Sequence, residues 1–216
     1  MEESFAKQIE KLRRASEEAR QGFTEFHVAR EEALRLSRDI IRNSANAIRA
    51  THRGEFEKAR ELVALVKELT SGFGQVKSSH PAVYYAGYVE DALKEYVEAC
   101  ATLAFAEGTP LPLSEELGVG PAPYLGGLAD TAGELRRFIL DSLRQDDFSR
   151  CEQLLEIMDE IYSILITMDF PDAVTRGLRR NTDMVRGVLE RTRGDLTVAL
   201  RQRRLEERLS AFDESS

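Results

Sequence analysis

The sequence predicts an all-α protein: one elongated helical bundle of about six to seven helices, filling residues 1–216 as a single domain. Three observations predict it. Apolar residues recur at intervals of three, four or seven along nearly the whole chain, the repeat of a buried helix face. No segment sustains the period-two alternation of a half-buried strand. Four of the six prolines fall between residues 108 and 123, which leaves long stretches on either side free to remain helical.

The first element is read over residues 3–53, which hold no proline and one glycine, Gly22. Ile9, Leu12, Ala19, Phe23, Phe26, Ala33, Ile40 and Ala47 mark its apolar face. As one helix it would run roughly 75 Å, with Gly22 as the candidate break. Gly54 marks a corner, and EFEKARELVALVKEL (55–69) is a second helix that stops at Ser71-Gly72. Pro81 opens a third helix, tolerated there because first-turn amides lack intrahelical partners, and it runs to about Phe105. Residues 108–123 are the principal loop, with a short helical turn at SEEL. Helices then follow over about Tyr124–Leu143, over Asp147–Met168 with Asp146 or Asp147 as cap, and, after Asp169-Phe170-Pro171, over Asp172 to about Leu209. DESS is read as a frayed tail. Val185, Val188, Leu189, Leu196 and Leu200 stripe the last helix, for packing in the core or against another copy.

Composition excludes several classes. No run of about 18 apolar residues exists to cross a membrane, and MEESFAKQIEKLRR lacks the apolar region of a secretory signal. Cys100 and Cys151 lie in apolar helical patterns, which fits free thiols in a reducing cytoplasm. With three scattered histidines (His27, His52, His80) they do not make a zinc set. The net charge of −8 argues against nucleic-acid binding by bulk charge. Its distribution is uneven: +2 over residues 1–80, −13 over 81–175 and +3 over 176–216.

The acidic middle holds two pairs aligned at helical spacing, Glu95 with Glu98 in LKEYVEAC and Asp130 with Glu134 in LADTAGEL. Helical projection puts Val89, Leu93, Tyr96, Cys100 and Leu103 on one face of the third helix, and Asp91, Glu95, Glu98 and Thr102 mostly on the other. Leu128, Ala132, Leu135 and Ile139 likewise oppose Asp130, Glu134, Arg137 and Asp141. Spacing alone is compatible with two solvated stripes. Two costs point the other way. No Lys or Arg stands at 99, 101 or 102 to relieve the Glu95–Glu98 repulsion, and Gly133 sits inside the second helix. If the pairs meet, four carboxylates suit Mg²⁺ or Mn²⁺, hard cations that choose oxygen ligands and stabilise charge on phosphoryl groups. No P-loop, nucleophile elbow or glycine-rich dinucleotide loop competes.

Across REEALRLSRDIIRNSANAIRATHRGEFEKA, YVEDALKEYVEACATLAF and PYLGGLADTAGELRRFILDSL the sequence resembles the translin family, and within it the translin-associated factor X (TRAX) type more than translin itself. The resemblance implies an all-α subunit of a hollow octamer and, for the active type, a metal-dependent endoribonuclease. It implies that Glu95, Glu98, Asp130 and Glu134 are the catalytic, metal-holding acids, since they match the family's Glu-x-x-Glu and Asp-x-x-x-Glu pairs. It also suggests a use for the basic stripe Arg35, Arg38, Arg42, Arg49 and Arg53: holding RNA phosphates on the inside of a shell through guanidinium forks. A solvated face paired with Asp39 is the plainer account of the stripe. His52 reads as a surface histidine, and Tyr84, Tyr85, Tyr88 and Tyr96 as packing residues or base-stacking platforms. The expected partners are RNA or single-stranded DNA, further copies of the chain, and a translin-like subunit. The competing expectations are a binding shell that does not cut, and an all-α Mg²⁺-dependent nucleotide pyrophosphatase.

Overall fold

The computed structural model describes residues 2–214, and among them there are helices and no strand. Six helices of 16 residues or more carry the fold: α1 (Glu2–His52), α2 (Phe56–Ser71), α5 (Gly87–Glu107), α7 (Pro121–Leu143), α8 (Cys151–Ile166) and α10 (Leu178–Glu214). Between them lie the short α3 (Phe73–Ser79), α4 (Pro81–Tyr84), α6 (Ser114–Leu117) and α9 (Asp172–Thr175).

α1 is unbroken at Gly22, where an added Cβ would meet nothing within 4 Å, so no packing demands a bend. Gly54 turns the chain at φ +72°, in the left-handed region that glycine enters without steric cost. The helix opened by Pro81 is in two pieces: α4 ends at Tyr84 with Tyr85 as its C-cap, Ala86 is extended (φ −76°, ψ 148°), and α5 starts again at Gly87. The predicted loop shrinks, because α6 forms at SEEL and α7 begins at Pro121, three residues before Tyr124. α8 starts at Cys151 and not at Asp147, since Asp146 is left-handed (φ 55°) and the Asp147 carboxylate accepts from the Ser149 amide within the preceding turn. The last long helix starts at Leu178, because Arg176 and Gly177 both take positive φ and part it from α9. It continues through Asp213 and Glu214, so half of the expected frayed tail is helical; Ser215 and Ser216 lie outside the described residues.

α5 is the central helix. It packs against α1 and α2 on one side and against α7 on the other, and α7 in turn packs on α8 and α10. One core cluster joins α1, α2, α3, α4 and α5 around Ile40, Phe73, Val89 and Tyr96. A second joins α7, α8 and α10 around Leu135, Ile139, Met158 and Leu189. The α10 stripe belongs to it, with Val185, Val188, Leu189 and Leu196 buried and Leu200 partly so. Because α5 is covered from both sides it has little solvent face. Thr102, expected on the polar side, is fully buried, and Glu95 and Glu98 are half-buried.

Candidate functional site

The closeness of α5 and α7 comes from glycine. A Cβ on Gly127 would lie 2.6 Å from the Lys94 carbonyl oxygen and 2.6 Å from Val97 Cβ, so only glycine lets the two backbones touch here. Gly126 leaves a slot for the Lys94 stem, whose Cδ would be 2.9 Å from a Cβ at that position. Ala129 and Ala132, both fully buried, face the other way, into the core that α7 shares with α8 and α10. Asp130 and Glu134 follow Gly127 by about one and two turns, which carries them onto the flank of α5 that bears Glu95 and Glu98.

The structure brings the two acidic pairs into one electrostatic group. The Glu98 carboxyl is pushed up to about 8, first by burial and then by the negative charges of Glu95, Asp130 and Glu134. Glu95 is raised as well, by burial and by Asp130, Asp91 and Glu134, with Lys94 opposing. Two basic side chains answer this charge. The Lys94 ammonium donates to Asp130 Oδ2 at 2.7 Å. Burial works to lower its proton affinity, but the pair with Asp130 prevails and raises it. His52, in the last turn of α1, pairs through Nε2 with Glu134 Oε2 and stacks on Phe138 with ring centroids 4.2 Å apart. Its side chain is only 4% exposed, so it is not a surface histidine, and its Nδ1 is buried without a partner. Residue spacing did not reveal this histidine, since the contact spans 82 positions. The consecutive glycines 126–127 inside a helix were the available signal of close approach.

In this salt-bridged arrangement no three His, Cys, Asp or Glu side chains among the described residues form a ready metal-binding set. The donor chemistry nonetheless suits a hard divalent cation: four carboxylates, half-buried or with side chains 24% exposed, short of positive charge at Glu98.

All five arginines of the α1 stripe are exposed. Arg35 pairs with Glu32 and Asp39, Arg42 with Asp39, and Arg53 with Glu55. Arg49 donates to the Asn46 side-chain oxygen, and no ion pair engages Arg38. The stripe covers about 27 Å of chain along α1 and ends next to His52 in sequence. Of the tyrosines, Tyr96 is fully buried, Tyr84 and Tyr88 pack partly against the core, and Tyr85 is 58% exposed.

The model of the translin family matches residues 28–192. The chain belongs to the translin family. An uncharacterized protein of Methanocaldococcus jannaschii is 33% identical over 186 residues, covering 83% of this chain and 80% of the relative. The crystal structure of AfC3PO superposes with a TM-score of 0.81 at 35% identity, covering 88% of this chain and 98% of that one. The structure of an AfC3PO–duplex RNA complex gives 0.80 at 34%, with the same coverage. Apo-NeC3PO, at 21% identity, shares the fold with a TM-score of 0.76, covering 85% of this chain and 96% of that one. The three segments that carry the sequence resemblance, residues 30–59, 88–105 and 123–143, all fall within the matched region. No described helix is long and apolar enough to cross a membrane.

Proposed function

We propose that this translin-family protein is an RNA-binding, metal-dependent endoribonuclease of the TRAX type, working within a hollow oligomer of its own copies or with a translin-like partner. The observation that carries the reading is the meeting of Glu95, Glu98, Asp130 and Glu134 between α5 and α7, where burial first and the neighbouring negative charges second raise Glu98 to about 8. Glu95 and Glu98, both raised by burial and by the neighbouring acids, share this place with Lys94 and His52, and perturbed carboxyls gathered in this way support a functional site for a divalent cation. Those four acids would hold Mg²⁺ or Mn²⁺. The ion would polarise a backbone phosphodiester and make a nearby water more acidic. Glu134, oriented by His52, would align that water and take its proton. Arg38 and Arg49, the stripe arginines without an acidic partner, would hold phosphates first, and the others would do so by exchanging an intrahelical carboxylate for RNA. The duplex RNA complex of AfC3PO supports RNA as the ligand class, and the buried, unpaired Cys100 and Cys151 fit a reducing cytoplasm.

The test is a cleavage assay with an end-labelled short RNA in Mg²⁺, in Mn²⁺ and in EDTA, beside Glu134→Ala. Metal-dependent cutting that disappears in the variant supports the nuclease. RNA retained but intact under every condition would sink it in favour of a non-catalytic binding shell. Pyrophosphate release from free nucleotides would point to the pyrophosphatase class.

A further inference from the structure

The break between α4 and α5 at Ala86 leaves Tyr84 and Tyr85 in the wall of a cavity of about 310 Å³. That volume suits one nucleotide. Tyr85 is 58% exposed, so burial does not account for it. Its ring stands edge-on to Tyr84 with centroids 5.0 Å apart, and Tyr84 stands edge-on to the buried Phe73 at 6.3 Å. The exposed ring is thus braced by a row of aromatics rooted in the core. Across the cavity, Pro121 and Pro123 in the first turn of α7 supply apolar surface without N–H donors.

Charged groups line the same space. Lys77 on α3 holds its ammonium 5.1 Å from the centre of the Tyr84 ring. Arg176 Nε lies 3.6 Å from Glu90 Oε2, an ion pair too long to be a hydrogen bond. The half-buried Glu90 carboxylate is therefore open to a closer donor. Arg176 reaches this wall from a backbone at φ 53°, the left-handed region that a β-carbon disfavours, and strain held in this way gathers at ligand sites. A neighbouring cavity of about 460 Å³ shares Lys77, Tyr84 and Leu93 but adds Glu115 and Glu116, whose charges repel a phosphate. The first cavity is the better fit for a nucleotide.

Its place matters too. From Glu90 to Glu98 α5 rises about 12 Å, and Pro123 stands just under a turn before Gly126, whose slot holds the Lys94 stem. The cavity thus lies within the reach of a few nucleotides from the acidic group.

We propose that this cavity is a base-reading subsite for one nucleotide of a single-stranded RNA. The base stacks on Tyr85. Its phosphate is held by Lys77 and Arg176. Glu90 accepts from an amino group on the base edge, as cytosine offers, and meets the uracil carbonyl as acceptor against acceptor. The proposal rests on the RNA reading of the proposed function and adds a base preference at residues outside both the acids and the arginine stripe.

Short rC and rU strands of equal length carry the same charge and the same ring size. They would be titrated by fluorescence anisotropy in EDTA, so the readout is binding and not cleavage. Wild type is expected to bind rC about tenfold more tightly than rU. Tyr85→Ala is expected to weaken rC binding about tenfold, and Tyr85→Trp to retain it. Glu90→Gln is expected to bring the two strands to equal affinity, because an amide presents either a donor or an acceptor. Circular dichroism checks that each variant keeps its helices. Equal affinity of wild type for rC and rU, or Tyr85→Ala binding like wild type, overturns the subsite. A cytosine preference with no cutting in Mn²⁺ sinks the nuclease and upholds the subsite. Cutting by a protein indifferent to the two bases does the reverse.

Discussion

His52 at the end of α1 holds Glu134 in the middle of α7, and the imidazole that does so lies stacked on Phe138, one turn beyond its carboxylate partner. Replacing His52 with alanine removes a buried ring, its stacking contact with Phe138 and the side-chain partner of Glu134. The expected cost is about 2–3 kcal/mol of unfolding free energy, read as a lower urea midpoint with an unchanged slope. A midpoint that does not move would mean the pair contributes nothing to the fold.

Lys94 is the cation paired with Asp130. If Mn²⁺ takes its place on Asp130, then Lys94→Met relieves a competitor that lies 2.7 Å from that carboxylate. Calorimetric titration should show Mn²⁺ binding tightened by about tenfold, roughly 1.4 kcal/mol. Weaker binding in the variant would show that the ammonium organises the acids and does not compete for them.

The raised Glu98 carboxyl ties stability to pH. A carboxyl at about 8 in the folded state, against an ordinary 4.5, binds more protons folded than unfolded between those values. Stability in EDTA therefore falls as pH rises from about 5 to 8. Glu98→Gln should flatten that part of the melting profile, and saturating Mn²⁺ should oppose the fall. A profile with the same slope in the variant would place the titrating group elsewhere.

Two glycines on α7 should answer alanine with opposite signs. At Gly127 a methyl group would collide with backbone and a β-carbon of α5 at 2.6 Å, contacts that no rotamer change relieves. Gly127→Ala should cost about 3 kcal/mol, and, by parting α5 from α7, weaken metal binding as well. Gly133 faces open space, so Gly133→Ala should stabilise the protein by about 0.5–1 kcal/mol. Thermal melts of both variants decide whether the helix contact is as close as described.

The long helices were legible because each carries its own periodicity, and helical periodicity survives without tertiary information. The breaks were less so. The splits at Tyr85–Ala86 and at Arg176–Gly177 carry no proline, and only the glycines at 87 and 177 hinted at them. The acidic pairs were visible as spacings, but spacing could not tell a solvated stripe from a half-buried one. That depended on α7 lying against α5, which is decided by Gly126 and Gly127, small residues with no chemistry of their own to draw notice. His52 was misread for a related reason. Its neighbours in sequence are polar, and what buries it comes from a helix 82 residues away.

The bare half of α1 has a consequence for motion. Amide protons near His52 are shielded by packing against α2 and α5, whereas from about Val28 toward Glu2 only the helix's own hydrogen bonds protect them. A helix lacking tertiary support frays within fractions of a microsecond to microseconds, so hydrogen–deuterium exchange should quicken steadily toward the first turn. The gradient should steepen on dilution, and the point where protection sets in would act as a ruler for how much of the helix another molecule is covering.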